Sequence, residues 1–177
     1  MSLVVNLFAG PGAGKSTMGA AIFSELKFRG VETELIQEFA KDLVWEDRLG
    51  ALSGQVYVLG KQYHRLQRVS GQVEVIVMDT SLLNSIFYKP EDLPSSFEDF
   101  VLDLYRSFNN LNIFIDRKKL YVASGRLETY KEALEKDREI RSFLNTLKIP
   151  YHTFDGLKQE VPCIADLVEY KISQKKE

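Results

Sequence analysis

The 177-residue chain has one cysteine, two histidines and one tryptophan, and it carries no surplus of basic charge. A single thiol, Cys163, forms no internal disulfide, which excludes a small disulfide scaffold and fits a reducing, cytosolic setting. Cys163 sits in an apolar pattern near the C-terminus and reads as a small core residue. His64 and His152 lack partners at metal-ligand spacing, which argues against zinc. With 23 Lys+Arg against 25 Asp+Glu, the net charge is -2. There is thus no general basic field to hold nucleic acid through its phosphates, and DNA binding would need a local site. Long hydrophobic runs are also missing. The apolar opening Met1 to Ala9 is too short for a signal peptide and lacks its charged start, and no stretch approaches a membrane span, so no membrane partner is expected. No internal repeat or low-complexity tract occurs apart from a short charged tail. What remains is ordinary globular composition, 45% hydrophobic and 27% charged, expected to form a single domain over residues 1–177.

The apolar pattern alternates in kind along the chain. Leu3 to Ala9 reads as a buried strand, and Lys15 to Arg29 as a helix with Met18, Ile22, Phe23 and Leu26 on one face and Gly30 as its stop. Thr33 to Gln37 is a second strand, followed by a helical stretch from Glu38 to Arg48. A longer helix from Gln55 to Val69 carries Val56, Leu59, Tyr63 and Leu66 at helical spacing. Val73 to Met78 forms a third strand and "LNIFID", 111–116, a fourth. Between them Phe97, Val101, Leu104, Tyr105 and Phe108 mark a helix. Leu127 to Leu147 reads as a long helix, and "YHTF" with a closing helix near Ile164 to Ile172 ends the chain. Nearly uniform apolar strands alternating with helices predict an α/β fold, a parallel sheet covered on both faces.

"AGPGAGKS", positions 9–16, fits the phosphate-binding pattern G-x-x-x-x-G-K-[ST] with alanine at the first glycine position. It directly follows a strand and opens a helix, the context the pattern requires. The expected division of labour follows from chemistry. Gly10, Gly12, Ala13 and Gly14 wrap the backbone around phosphate, Lys15 brings mobile positive charge to the outer phosphates, and Ser16 offers a hydroxyl ligand for Mg²⁺. Thr17 assists at the α-phosphate, all at a helix N-terminus that favours anions.

Asp79 ends the third strand, on the edge where ligands sit in open parallel sheets. A carboxylate there meets Mg²⁺ or its waters, or takes a proton from an attacking hydroxyl. Arg117, Lys118, Lys119 and Arg126 crowd around a flexible "ASG" after the fourth strand. A basic, glycine-hinged lid of this kind stabilises a migrating phosphoryl group and excludes water. Trp45, beside Glu46, Asp47 and Arg48, reads either as a ring that stacks a base or as core packing.

"AGPGAGKST", "MDTSLLNS" and "DRKKLYVASGRLETYKEALEKDREI", in that order, resemble the small phosphate-loop kinases, in particular the ribosylnicotinamide-kinase-like ATP-binding proteins of bacteria and bacteriophages. The resemblance covers about residues 3–150. It implies a five-stranded parallel sheet in the order 2-3-1-4-5, ATP with Mg²⁺, an acceptor-binding helical region at about 38–70 and a lid at about 117–128. It also implies an acidic residue after the second strand that holds or deprotonates the acceptor. "QEFAKD" places Glu38 there, with Asp79 as the rival base. Trp45 and Arg48 are then candidate substrate contacts, and Arg126 with Arg117 closes on the migrating phosphoryl. The expected function is phosphotransfer to a hydroxyl or phosphate of a nucleoside, nucleotide or modified base, in a bacterial or phage-infected cytosol. A phage-type kinase of 5-hydroxymethyluracil in DNA is one alternative. An ATP-hydrolysing switch or regulatory ATP-binding protein is another, although no N-K-x-D guanine-reading motif is present and 177 residues leave little room for the extra helical domain of a motor. Acceptor identity and oligomeric state stay open.

Overall fold

The computed structural model describes residues 1–118 and 129–174. Its strands are β1 (Leu3–Phe8), β2 (Thr33–Ile36), β3 (Val75–Met78), β4 (Asn109–Asp116) and β5 (His152–Asp155). All neighbours pair in parallel, in the order β2-β3-β1-β4-β5. Parallel pairing of successive strands requires crossovers, and helices supply them. The longer ones are α1 (Lys15–Phe28), α4 (Gln55–Gln67), α6 (Ser96–Arg106), α7 (Tyr130–Thr146) and α8 (Val161–Ser173). Three short helices, α2 (Phe39–Trp45), α3 (Leu49–Leu52) and α5 (Asn84–Phe87), lie among them.

Side chains alternate across β1, and each set meets a different layer. Leu3, Val5 and Leu7 pack with Met18, Ile22 and Leu26 of α1 and with Ile164, Ala165 and Val168 of α8. On the other face, Val4 joins Ile76 and Met78 against Leu59 and Leu66 of α4 and Phe97 and Val101 of α6, while Phe8 and Phe114 meet Ile140 and Leu144 of α7. β1 and β3 are buried throughout. This is why their sequences are apolar apart from Asn6 of β1. A polar cluster sits between β1 and β4 within the sheet. Asn6 pairs in register with Asn112, donates to the side-chain oxygens of Asn110 and Asn112 at 2.9 and 3.2 Å, and the Tyr105 hydroxyl closes the network on Asn112 at 2.7 Å.

Three local readings are corrected. Cys163 is exposed, because α8 buries Val161, Ile164, Ala165 and Val168 and turns the intervening position outward. In α4 Leu59, Tyr63 and Leu66 pack inward as expected, but Val56 is exposed and the buried row also includes Gln55, Val58 and Gln62. The helix expected from Glu38 to Arg48 breaks after Trp45, where Asp47 adopts a left-handed φ of 54°, and resumes as α3. α2, α3 and α4 share a small core of Phe39, Leu43 and Val58, distinct from the clusters on the sheet. Among the described residues no helix is long and apolar enough to cross a membrane.

Candidate functional site

β1 is the middle strand, flanked by β3 and β4, and its C-terminal end feeds the loop Ala9 to Gly14 and then α1. The loop turns through Gly12 at φ 76° and Gly14 at φ 106°, left-handed positions where a Cβ would be strained. Gly14 is the N-cap of α1, and no side chain caps that helix. Its first amides are therefore donors without a side-chain partner, at the positive end of the helix dipole. The Lys15 ammonium folds over the loop, donating to the carbonyls of Ala9 at 2.7 Å and Gly10 at 3.3 Å.

Two carboxylates, Glu38 and Asp79, follow the ends of β2 and β3. Asp79 is buried, 2% exposed, and lies against Gly19, where an added methyl would sit 3.5 Å from the Asp79 Cβ. Gly19 is three residues beyond Ser16, on the same side of α1. Asp79 Oδ1 accepts the backbone N–H of Glu38 at 2.6 Å. Gln62 Oε1 accepts the next amide, that of Phe39, at 2.9 Å. These two bonds fix the start of α2 over the sheet and thereby aim Glu38. Burial pushes the Glu38 carboxyl above the usual carboxylate range. Lys15 opposes the shift, Asp79 adds to it, and Lys41 and a hydrogen bond with Thr80 oppose it. Arg65 completes the α2 anchor, donating to the Gln37 carbonyl at 3.1 Å, pairing with Asp42 and lying 5.1 Å from the Phe39 ring centroid.

A cavity of about 620 Å³ runs from the loop into the α2–α4 region. Gly12, Gly14, Lys15, Ser16 and Thr17 line one end. Glu38 stands with Thr80 and Ser81 along the wall. The far end is largely apolar, with Val44, Trp45, Leu49, Leu52 and Val58. The volume suits a drug-sized or nucleoside-sized ligand beyond the phosphate loop.

The model for the family described as AAA domain matches residues 4–160. The chain belongs to this family. No curated protein matches it. The AAA domain assignment agrees with the five-stranded parallel sheet, and together they establish a nucleotide-binding phosphate-loop domain of the NTPase type.

The AAA domain brings most of the sequence-predicted residues together and separates others. Gly12, Gly14, Lys15, Ser16, Thr17, Glu38 and Trp45 line the one cavity, while Ala13 is buried behind it. Trp45 is 65% exposed, so it is not core packing. Arg48 points elsewhere: the turn at Asp47 places it at the start of α3, exposed, with its guanidinium paired to Glu46 at 3.2 Å, and it does not line the cavity. Arg117 is not the open lid cation that the spacing suggested. Its side chain is 6% exposed and engaged with Asp137 at 2.9 Å and the Pro11 carbonyl at 2.8 Å. Arg126 and the rest of the expected lid, residues 119–128, lie outside the described residues.

Other contributors were not visible in the sequence. Gln62, Asn84 and Ser85 line the cavity, and Gln62 orients α2, but each is an unremarkable polar residue on a helix until the packing is known. Gly156, after β5, supports the loop from outside. An alanine Cβ there would lie 3.0 Å from the Ala13 carbonyl oxygen, 3.0 Å from that of Asp116 and 3.1 Å from Ile115 Cγ2. Gly156→Ala is therefore expected to displace the phosphate loop, costing about 1–3 kcal/mol of stability and weakening Mg·ADP binding severalfold. Thermal unfolding and calorimetric titration of the variant check both effects.

Proposed function

We propose that this protein is an ATP- and Mg²⁺-dependent phosphotransferase that moves the γ-phosphoryl group to a hydroxyl or phosphate of a nucleoside, nucleotide or modified base. The observation that carries this reading is the continuity of the phosphate loop with an apolar, tryptophan-edged cavity, with Glu38 at the junction. Hydrolysis needs only water beside the γ-phosphate. A second, ring-sized compartment is what an organic acceptor needs.

In this mechanism the amides of Gly12 to Ser16 hold the β-phosphate, and the Lys15 ammonium leaves the Ala9 and Gly10 carbonyls to bridge the β- and γ-phosphates. The Ser16 hydroxyl and the Asp79 carboxylate are hard oxygen donors that fit Mg²⁺ held partly through water. When bound, the ion would neutralise charge on the phosphates. Glu38 accepts the proton of the acceptor hydroxyl as its oxygen bonds to the γ-phosphorus and the bond to the β–γ bridging oxygen breaks, leaving ADP. The raised proton affinity of Glu38 improves it as a base, and its place on the cavity wall favours it over Asp79, whose Oδ1 already accepts an amide. Arg126 is the remaining candidate for charge stabilisation from the lid. Trp45 stacks the acceptor's ring.

Family membership favours a second reading, ATP hydrolysis coupled to a switch or regulatory role. Incubation with ATP labelled at the γ-phosphate, Mg²⁺ and a panel of nucleosides, nucleotides and 5-hydroxymethyluracil-containing DNA separates the readings. Label on an acceptor supports transfer and identifies the acceptor as free or DNA-borne. Label recovered only as inorganic phosphate supports hydrolysis.

A further inference from the structure

Arg117 and Asp137 are twenty residues apart in sequence and meet behind the phosphate loop. The Asp137 carboxylate bridges two elements: Oδ1 accepts the Gly10 backbone N–H at 2.6 Å, and Oδ2 pairs with Arg117 Nε at 2.9 Å. Arg117 Nη2 then donates to the Pro11 carbonyl at 2.8 Å and to the Ala133 carbonyl of α7 at 3.4 Å. The first two residues of the loop's turn are thus held on both their donor and acceptor sides, Gly10 through its amide and Pro11 through its carbonyl. The approach is close. A methyl on Gly10 would lie 2.7 Å from the Ala133 carbonyl oxygen and 2.8 Å from Asp137 Oδ1. The pair is also withdrawn from solvent, with side chains 6% and 15% exposed, and Arg117 Nη1 is buried without a hydrogen-bond partner among the described residues.

A buried ion pair with an incompletely satisfied guanidinium is a poor stabilising device by itself. Its geometry makes sense as an instrument of position, because charge-assisted bonds are short and directional and both ends terminate on loop backbone. We propose that Asp137 and Arg117 are positioning residues that preset the phosphate loop from α7, so that the amides further along the loop meet a nucleotide's β-phosphate without rearrangement. Neither side chain touches the nucleotide in this role; each acts through Gly10 and Pro11. The proposal rests on the loop's nucleotide-binding role.

The test is calorimetric titration of the full chain with Mg·ADP, alongside nucleotide-free thermal unfolding. Asp137→Ala leaves the buried Gly10 amide without its acceptor and is expected to weaken binding by about tenfold or more. Asp137→Asn keeps an oxygen for that amide and is expected to recover most of the loss. Arg117→Ala is expected to weaken binding too, and the double variant to be no worse than Asp137→Ala alone, because the two residues act as one unit. Unchanged affinity in a folded Asp137→Ala protein, with only its melting temperature lowered, would show a merely structural pair and overturn the proposal; so would strictly additive losses. If Asp137→Ala does not fold, Arg117→Lys decides: a lysine cannot reach Asp137 and Pro11 together, so weaker binding supports the brace and unaltered binding refutes it. Wild-type protein against Lys15→Ala provides the separate control. Equal binding by those two would refute the loop's role itself, whereas tight wild-type binding with an indifferent Asp137→Ala would refute only the brace.

Discussion

Lys15→Ala is expected to lower the proposed phosphoryl transfer by at least about 10²–10³-fold, the loss typical of removing one preorganised charge-stabilising donor. The expected loss follows from where Lys15 stands. Its ammonium lies at the loop and on the cavity wall, within reach of the Ala9 and Gly10 carbonyls, and it exerts a field on Glu38 across the cavity. No other described lysine or arginine lines the loop end of that cavity; Lys41 lines the α2 side. The fold is expected to survive, since Lys15 lies at the cavity and outside the hydrophobic clusters. Steady-state ADP formation with circular dichroism on the same sample checks both halves. A variant with full activity would remove the lysine from the mechanism.

Glu38→Gln has a comparably large effect with a different signature. Losing the proposed proton acceptor is expected to reduce transfer by about 10²–10⁴-fold, while Mg·ADP affinity stays within a few fold, because the proposal has Glu38 serve the acceptor and not the nucleotide. Stability moves the other way. The folded protein holds the Glu38 proton more tightly than the unfolded chain does, since burial raises its carboxyl above the ordinary value of 4.5. Native protein then binds more protons than unfolded protein between 4.5 and the raised value, so stability falls as pH rises through that window. Glutamine removes the penalty. The nucleotide-free variant is expected to melt above wild type at pH 8 and close to it at pH 4, and a difference that shrinks with rising pH would contradict the assignment. A carboxylate that destabilises its own fold at neutral pH is the pattern expected of a functional group.

The strands and the phosphate loop were legible because their causes are local. Fully buried, almost uniformly apolar runs, as in Leu3 to Phe8 and Val75 to Met78, have few solutions other than a central parallel strand. The glycines at 12 and 14 answer a backbone demand that no neighbour can modify. Glu38 was named only through the resemblance to the phosphate-loop kinases, and the fold adds that it lines the cavity. Long-range pairing was not: nothing near Arg117 announces Asp137, and nothing in α4 marks Gln62 as the residue that receives the Phe39 amide. Cys163 and Val56 were misread for a common reason. In a short amphipathic helix one apolar residue lies off the buried stripe, and only the packed partner shows which. Arg48 failed because a left-handed turn at Asp47 interrupts the helix that was to carry it toward the cavity.

The cavity has a phosphate-loop end and an apolar end, proposed to hold the acceptor, and the decisive measurement is the fate of the phosphoryl group. ADP, inorganic phosphate and phosphorylated acceptor should be quantified together in one reaction with Mg²⁺ and each member of the acceptor panel. For a true acceptor, ADP and phosphorylated product are expected to form one to one, at a rate far above that with water alone. ADP matched by inorganic phosphate at a rate indifferent to every acceptor would contradict phosphotransfer and leave an ATP-hydrolysing domain in its place.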